Sequence, residues 1–218
     1  HDAALGRRVG RLADLAVERT RLLYQGSQVP TLLMLLSGVA CAYLLWNPNN
    51  STRLAGWLVW LVLLAVPRLI PVSAFNAALP SRQAAPRWRW MFLLGAGLSG
   101  LTLAFAEIAL VPPDAFLQQA LVYGLIAAAI LSASVAYAVS LSAFLTFTLP
   151  CVLPPLGVLL LSNDPRQESW GVLGLILSGT LLLVTWQVNR LVTRNLQQRF
   201  HNQALIANLE YAKQQAEG

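Results

Sequence analysis

Charged residues are scarce in this sequence, at 11% of 218 residues, whereas 56% are hydrophobic. An ordinary soluble domain is roughly one quarter charged, so the composition excludes that class and indicates a membrane protein. Cysteine is also nearly absent. The sequence contains two cysteines, Cys41 and Cys151, which are far apart and each lie inside an apolar stretch. Their spacing fits neither a disulfide framework nor a metal site, and we expect both to be inert packing residues.

Catalytic motifs are lacking as well. The sequence contains no Walker loop, no GxSxG or HExxH motif and no pair of carboxylates at metal-ligand spacing. Its histidines, His1 and His201, lie outside the long apolar runs. We therefore expect no catalytic residue, no metal and no cofactor within this chain. Whether a parent polypeptide is an enzyme stays open at this point.

Long apolar runs are abundant by contrast. A membrane-spanning helix needs about 20 mostly apolar residues, and six segments qualify, at 29–46, 54–74, 88–111, 116–136, 139–161 and 170–188. No charge, proline or glycine marks a turn between the fourth and fifth segments. We predict a break there because a single helix over both would be about twice as long as the hydrocarbon core is thick. The predicted fold is an all-α membrane bundle of six transmembrane helices.

Basic residues are distributed unevenly between the loops. Of the 15 Lys and Arg residues, five precede the first predicted span, three lie between the second and third, and four follow the sixth, whereas Arg53 and Arg166 lie on the other side. Because Lys and Arg accumulate in cytoplasmic loops, we expect both termini in the cytoplasm and a location in the bacterial inner membrane. This topology accounts for the net charge of +6, so membrane lipids are expected partners and nucleic acid is not.

Two ionisable residues lie within predicted spans. Glu107, near the outer end of the third, could accept a ligand hydroxyl, a proton or a cation, since ionisable groups in membrane helices are costly and often functional. The alternative is that Glu107 reaches the outer interface or pairs with Arg53 or Arg166. Arg68, near the inner end of the second span, is more simply interpreted as an anchor that extends to the cytoplasmic interface.

The fifth predicted span, TFTLPCVLPPLGVLL, contains Pro150, Pro154 and Pro155. Proline removes a backbone donor and clashes with the preceding turn, so we expect a kink or an opening that either forms a pocket or is filled by neighbours. Ser134 and Tyr137, in LSASVAYAVSLS, could line a polar cavity or hydrogen-bond between helices. The ligand-sensing candidates are Glu107, Pro150, Pro154, Pro155, Ser134 and Tyr137.

Small residues at helical spacing recur in the third span. Gly95 with Ser99 and Gly100 with Ala104 are separated by four positions, as is Gly174 with Ser178 in the sixth span. Such pairs let helices approach closely in lipid. We expect them to pack the bundle internally, with a subunit interface as the alternative.

The two ends of the chain differ from the spans. Residues 1–28 predict an amphipathic helix in the inner headgroup layer, or one that packs on an upstream domain. After residue 188 the sequence contains no proline or internal glycine, and polar and apolar residues follow each other at coiled-coil spacing. The expected signal-transmitting positions are Asn195, Gln198, Asn202, Leu205 and Leu209. We therefore divide the chain into a surface helix at 1–28, a sensor bundle at 29–188 and a dimeric coiled-coil connector at 189–218, with a solvated single helix as the alternative to the coiled coil.

The segments RTRLLYQGSQVP, before the first span, and NLEYAKQQAEG, at the close, look like the two ends of a known module. The arrangement resembles the N-terminal multi-span input domains of bacterial hybrid sensor histidine kinases. The resemblance implies a homodimeric sensor that detects a lipophilic or membrane-borne signal, such as a fatty-acid-type molecule, and passes it to a kinase domain beyond residue 218. Similar modules precede diguanylate cyclases, and a small membrane transporter stays an alternative.

Overall fold

The structure is a computed structural model that describes residues 17–48, 50–78, 85–112 and 115–217, with side chains described up to residue 195 except for 70–78 and 85, and again at Gln198. Within these residues the chain is helical and contains no strand. The helices are α1 (residues 17–26), α2 (Gln28–Leu44), α3 (Ser51–Ala78), α4 (Ala85–Phe105), α5 (Phe116–Ala136), α6 (Leu141–Leu160) and α7 (Pro165–Glu217). A π-helical turn, Ala106–Leu110, follows α4.

Six helical segments of the described chain are long and apolar enough to cross a membrane. They are Val17–Leu44, Ser51–Leu69, Pro86–Leu110, Phe116–Ala136, Leu141–Leu160 and Pro165–Asn195. The predicted number of spans and the all-helical class are therefore confirmed, and the chain is treated below as a multi-pass membrane protein. The break between the fourth and fifth spans is also confirmed, because α5 ends at Ala136 and Ser140 adopts an extended conformation before α6.

The first span begins earlier than the sequence indicates. Helix α1 leads into α2 through a turn at Ser27, whose hydroxyl donates a hydrogen bond to the carbonyl oxygen of Tyr24. Leu23, Tyr24 and Ser27 are all buried in the bundle. Residues 17–28 are therefore part of the packed helices, unlike a helix that lies in the headgroup layer. The rest of the predicted surface helix, residues 1–16, lies outside the described residues.

The helices that contact each other most extensively form a closed ring. Helix α2 packs on α3 and α5, α5 on α7, α7 on α6, α6 on α4, and α4 on α3. Large buried side chains, including Trp57, Leu61, Val122, Phe144 and Phe147, fill the interior. Helices α5 and α6 are consecutive in sequence, but their mutual contact is small. The ring order therefore differs from the sequence order.

Helices α4 and α6 approach each other closely at Gly100. A Cβ atom built on Gly100 would overlap the backbone carbonyl oxygen of Phe147 and lie 3.2 Å from the backbone nitrogen of Cys151. On α7, a Cβ atom at Gly174 would lie 3.1 Å from a methyl group of Leu156 in α6. These small residues thus pack one helix of the bundle on another, as expected for internal packing.

Helix α7 is the longest element, with 53 residues, which corresponds to about 80 Å at the usual rise per residue. The prediction of an unbroken helix after residue 188 is confirmed. Many of its apolar side chains are exposed in the single chain, including Leu173, Ile176, Leu183 and Leu191. The coiled coil stays a prediction: Asn195 and Gln198 are exposed, and the side chains of Asn202, Leu205 and Leu209 lie outside the described part of the structure.

Candidate ligand-binding site

Glu107 occupies the π-helical turn at the end of the third span. Residues Ala106–Leu110 widen the helix there, and Val111 is already extended before Pro112. Short π-helical turns are frequent at functional sites. Glu107 is half-buried and forms neither a hydrogen bond nor an ion pair with any described residue. The pairing with Arg53 or Arg166 that the sequence allowed is therefore not formed here, and Arg53 instead lines a separate cavity with Trp57 and Trp60.

The carboxyl group of Glu107 faces an apolar cavity of about 210 Å³ between α5, α6 and α7. Aliphatic side chains contributed by all three helices form most of its wall. They include Ile126 and Ile130 of α5, Leu156 of α6, and Leu173 and Leu177 of α7. The cavity is therefore a hydrophobic chamber with one acidic group at its edge.

A second cavity of about 170 Å³ adjoins the first on the side of the interhelical loops. Both cavities share Glu107, Tyr123, Pro155 and Leu159. The second is more polar because Gln119 and Gln167 also line it. Together they provide an apolar compartment and a polar one, with Glu107 at the junction.

Trp170, in the first turns of α7, contacts α5 beside these cavities. Its ring centroid lies 5.7 Å from that of Phe116 and 5.4 Å from that of Tyr123, with the Tyr123 pair arranged edge to face. Such aromatic pairs contribute about 0.5–1.5 kcal/mol beyond the area that they bury. This aromatic cluster therefore holds the beginning of α7 against α5 beside the apolar cavity, which Trp170 and Tyr123 both line.

The arrangement suits an amphiphile more than a polar metabolite. Ligand pockets in proteins are usually apolar, with a few polar groups that fix the orientation. Here the aliphatic wall would hold a hydrocarbon chain, and Glu107 would accept a hydrogen bond from a hydroxyl or amine head group. An ionised carboxylate would fit the same position less well, because two ionised carboxyl groups in a low-dielectric site disfavour each other.

The structure divides the predicted ligand-sensing residues. Glu107 and Pro155 line both cavities, whereas Pro154 is exposed, and neither Pro150 nor Pro154 lines them. Helix α6 runs from Leu141 to Leu160 with all three prolines inside it. Ser134 is buried and donates a hydrogen bond to Leu131 in its own helix. These positions leave the predicted sensing roles untested.

Tyr137 belongs to a different cluster around Arg68. The guanidinium of Arg68 donates hydrogen bonds of 2.7 Å to the hydroxyls of Ser99 and Tyr137, and its carbon lies 5.6 Å from the ring centroid of Phe92. Arg68 is half-buried and directed into the bundle. The sequence suggested that Arg68 extends to the cytoplasmic interface. In the structure, its guanidinium group instead donates hydrogen bonds to α4 and to the end of α5.

Two hydrogen bonds hold α7 where it leaves the bundle, and sequence reasoning missed both. Asn189 donates to the carbonyl oxygen of Ala138, between α5 and α6. Arg19 of α1 donates to the hydroxyl of Thr193 at 3.1 Å. The partners are far apart in sequence, so no local pattern reveals them. The sequence did contain one local indication of this attachment. Asn189 and Thr193 are four positions apart, which places both on one face of α7.

Comparisons with protein-family models, with curated proteins and with solved structures found no match for this chain.

Proposed function

We propose that this chain is the transmembrane input domain of a bacterial sensor histidine kinase, which detects a lipophilic molecule and signals through α7. The observation that carries the proposal is that one uninterrupted helix both lines the cavity and extends to Glu217. Leu173 and Leu177 of α7 form part of the cavity wall, and the same helix continues for another 40 residues after Leu177. A displacement at the cavity would thus move the distant end of α7.

The packing of α7 favours such a displacement. Its cavity-lining segment is held at one end by Trp170 and at the other by Asn189 and Thr193. Between these points, most of its large apolar side chains are exposed in the single chain, although Leu181 and Thr185 are buried. A ligand that fits one arrangement of α5, α6 and α7 better than another shifts the population toward that arrangement. Small helix movements of this kind are an established form of signal transmission.

The test uses the full-length protein that contains this chain, reconstituted in nanodiscs. Decanol and decylamine serve as neutral and cationic probes, and decanoate as the anionic one. We expect decanol and decylamine to change autophosphorylation more strongly than decanoate. If none of the three changes autophosphorylation and none binds, the cavity is a packing defect and the proposal fails.

A cavity-filling variant tests whether the response depends on this site. A Cβ atom at Gly124 would meet no atom within 4 Å, and Gly124 lines the cavity. Gly124→Leu should therefore occupy the cavity and abolish the probe response without loss of the folded protein. Gly179→Leu is the matched control, because Gly179 is exposed like Gly124 and also has open space around its Cβ position, but it does not line the cavity. An equal loss of response in both variants would contradict the assignment.

The intramembrane carboxyl group beside a cavity also suits a small transporter. Uptake of labelled decylamine into proteoliposomes distinguishes the two functions. A transporter would accumulate the amine down an imposed gradient, whereas an input domain would bind it without flux.

If the output domain is a diguanylate cyclase, the probe response would appear in nucleotide cyclisation and autophosphorylation would be absent.

A further inference from the structure

Another cavity, of about 230 Å³, lies between α1, α3 and α4 and shares no lining residue with the two cavities at Glu107. Arg68 is the charged residue in its wall. Leu63, Met91 and Leu98 also line it, and these side chains are 44–59% exposed on the outer surface of the bundle. This cavity, called the Arg68 cavity below, therefore opens laterally toward the lipid.

The charged part of the Arg68 cavity lies at one end of the bundle. Arg68 immediately precedes the last residue of the span Ser51–Leu69. Tyr137, whose hydroxyl accepts a hydrogen bond of 2.7 Å from Arg68, directly follows the span Phe116–Ala136. The span Pro86–Leu110 begins at the same end, because consecutive spans alternate in direction. The head-group layer of the bilayer, which contains the phospholipid phosphates, borders this end.

Arg68 retains unused hydrogen-bond donors at the cavity. A guanidinium has five N–H groups, and the hydroxyls of Ser99 and Tyr137 accept hydrogen bonds from its two terminal nitrogens. Its Nε atom lies at the cavity wall, since a Cβ atom built on the lining residue Gly95 would be 3.7 Å from it. Among the described side chains, none provides Arg68 with a carboxylate partner. The cavity therefore presents a half-buried cation with free donors.

The helices that form the Arg68 cavity are basic throughout. From residue 19 to residue 106 the chain contains seven arginines and no Asp or Glu. An arginine near the end of a membrane helix without a counter-ion favours an anionic ligand. A zwitterionic head group would also bring an ammonium group, for which the described wall of the cavity offers no acid. The charge of the site therefore favours an anionic head group over a zwitterionic one.

A second arginine lies beside the cavity on α4. Arg87 is exposed and precedes Met91 by four positions, which places the two residues on one face of the helix. Because Met91 lines the cavity, Arg87 lies one helical turn nearer to the head-group layer on the same face. Arg89 faces another side of α4, where it donates a hydrogen bond to Ser142 of α6. One arginine is thus in the cavity wall and another at its rim.

We propose that the Arg68 cavity is a specific site for an anionic phospholipid. The phosphodiester pairs with the free donors of Arg68 and with Arg87, and one acyl chain lies along the apolar wall toward the bulk lipid. Basic pockets between transmembrane helices are suited to such head groups. A free phosphate ion would form the same ion pairs but would leave the apolar wall empty, so the lateral opening favours the lipid. The site does not require signalling through α7, so it stands or fails separately from the function proposed above.

Native mass spectrometry of the chain in mixed micelles tests the proposal, because it resolves individual bound lipids and gives the affinity of the first one. Phosphatidylglycerol should bind about tenfold more tightly than phosphatidylcholine with the same acyl chains, as expected for one charge-assisted interaction. Arg68→Gln should remove this preference, and Arg87→Gln should weaken phosphatidylglycerol binding about threefold, because an exposed ion pair contributes less. Arg89→Gln is the matched control, since Arg89 is exposed on the same helix but faces Ser142, and it should leave binding unchanged.

A second variant keeps the test decisive if Arg68→Gln fails to fold. Leu63→Trp leaves Arg68 and its hydroxyl partners in place but fills the cavity from the lipid side. Phosphatidylglycerol binding should then weaken to the level of phosphatidylcholine at an unchanged melting temperature. Val62→Trp is its control, because Val62 is also exposed on α3 but does not line the cavity.

Three results would overturn the proposal. The first is equal affinity for phosphatidylglycerol and phosphatidylcholine in the unaltered chain. The second is an equal effect of a cavity variant and its control, either Arg68→Gln with Arg89→Gln or Leu63→Trp with Val62→Trp. The third is displacement of phosphatidylglycerol by inorganic phosphate, which would identify a site for the free ion in place of the lipid.

Discussion

Asn189 of α7 donates its side-chain amide to the backbone carbonyl oxygen of Ala138, in the connection between α5 and α6. One helical turn further on, Thr193 accepts a hydrogen bond from Arg19 of α1. The two contacts join the beginning of the chain, the middle of the bundle and the departing helix. Any movement of α7 out of the bundle must therefore break or rearrange them.

The first prediction concerns this inner attachment. Asn189→Ala removes a hydrogen bond of about 1 kcal/mol, so the backbone amides of α7 next to residue 189 should exchange about fivefold faster with deuterium. Exchange measured by mass spectrometry on the chain in nanodiscs checks this expectation. Gln187→Ala is the control, since Gln187 is exposed on the same helix. Unchanged exchange near residue 189 would show that the contact contributes little to holding α7.

The second prediction concerns the contact between α4 and α6. In Gly100→Ala the new methyl group overlaps the backbone of Phe147, which cannot move aside as a side chain can. We expect destabilisation by about 1–3 kcal/mol, the usual cost of overpacking. Gly157→Ala, where a Cβ atom meets nothing within 4 Å, should be neutral or slightly stabilising. Denaturation in mixed micelles compares the two, and equal stability would mean that the helices separate readily.

The third prediction concerns Glu107. Glu107→Gln keeps the size of the side chain but removes the carboxyl group that can pair with an ammonium group, so decylamine binding should weaken about tenfold while decanol binding changes less. Calorimetry in nanodiscs provides both affinities, and the expression level reports on folding. An equal change for amine and alcohol would indicate that the carboxyl group does not recognise the head group.

The fourth prediction concerns the phase of α7 in the full-length protein. One residue inserted after Asn202 rotates everything downstream by about 100°, whereas seven restore the heptad phase and lengthen the helix by about 10 Å. Autophosphorylation should change with one to three inserted residues and recover near seven, about two helical turns. A response that stays constant across the whole series would show that α7 is a passive tether.

The fifth prediction concerns orientation, which follows from the distribution of Lys and Arg. Reporter fusions after Asn49 and Asp164 should indicate an external position, and fusions after Gln83 and Gln203 a cytoplasmic one. Cytoplasmic labelling of a cysteine introduced at residue 164 would invalidate the six-span topology.

Composition and length were sufficient to predict the spans, because burial in lipid requires long apolar helices whatever their neighbours are. The break before Leu141 was predictable from length alone. The partners of Arg68 were not, since Ser99 and Tyr137 are 31 and 69 positions away. Similarly, the spacing around Gly100 indicated close packing but could not identify α6 as the partner.

The site was partly predictable for the same reason. Glu107 stands out as an acid in an apolar run, so the sequence identifies it without any knowledge of the fold. The cavity beside it depends on which helices pack together and on a π-helical turn that no residue pattern predicts. The prolines indicated an irregular α6, but which of them faces the cavity follows from the helix rotation, and Pro155 does so while Pro154 is exposed.

The ring order of the helices also bears on biosynthesis. Helices α2 and α3 are consecutive and pack together, so they can associate as soon as both have entered the membrane. Helix α4 must wait for its close partner, α6, until α5 has also been inserted, and during that interval the backbone at Gly100 faces lipid or an insertion factor. The extensive contact between α4 and α6 therefore forms late in synthesis. A chain truncated before α6 would lack the backbone of Phe147, on which Gly100 of α4 packs.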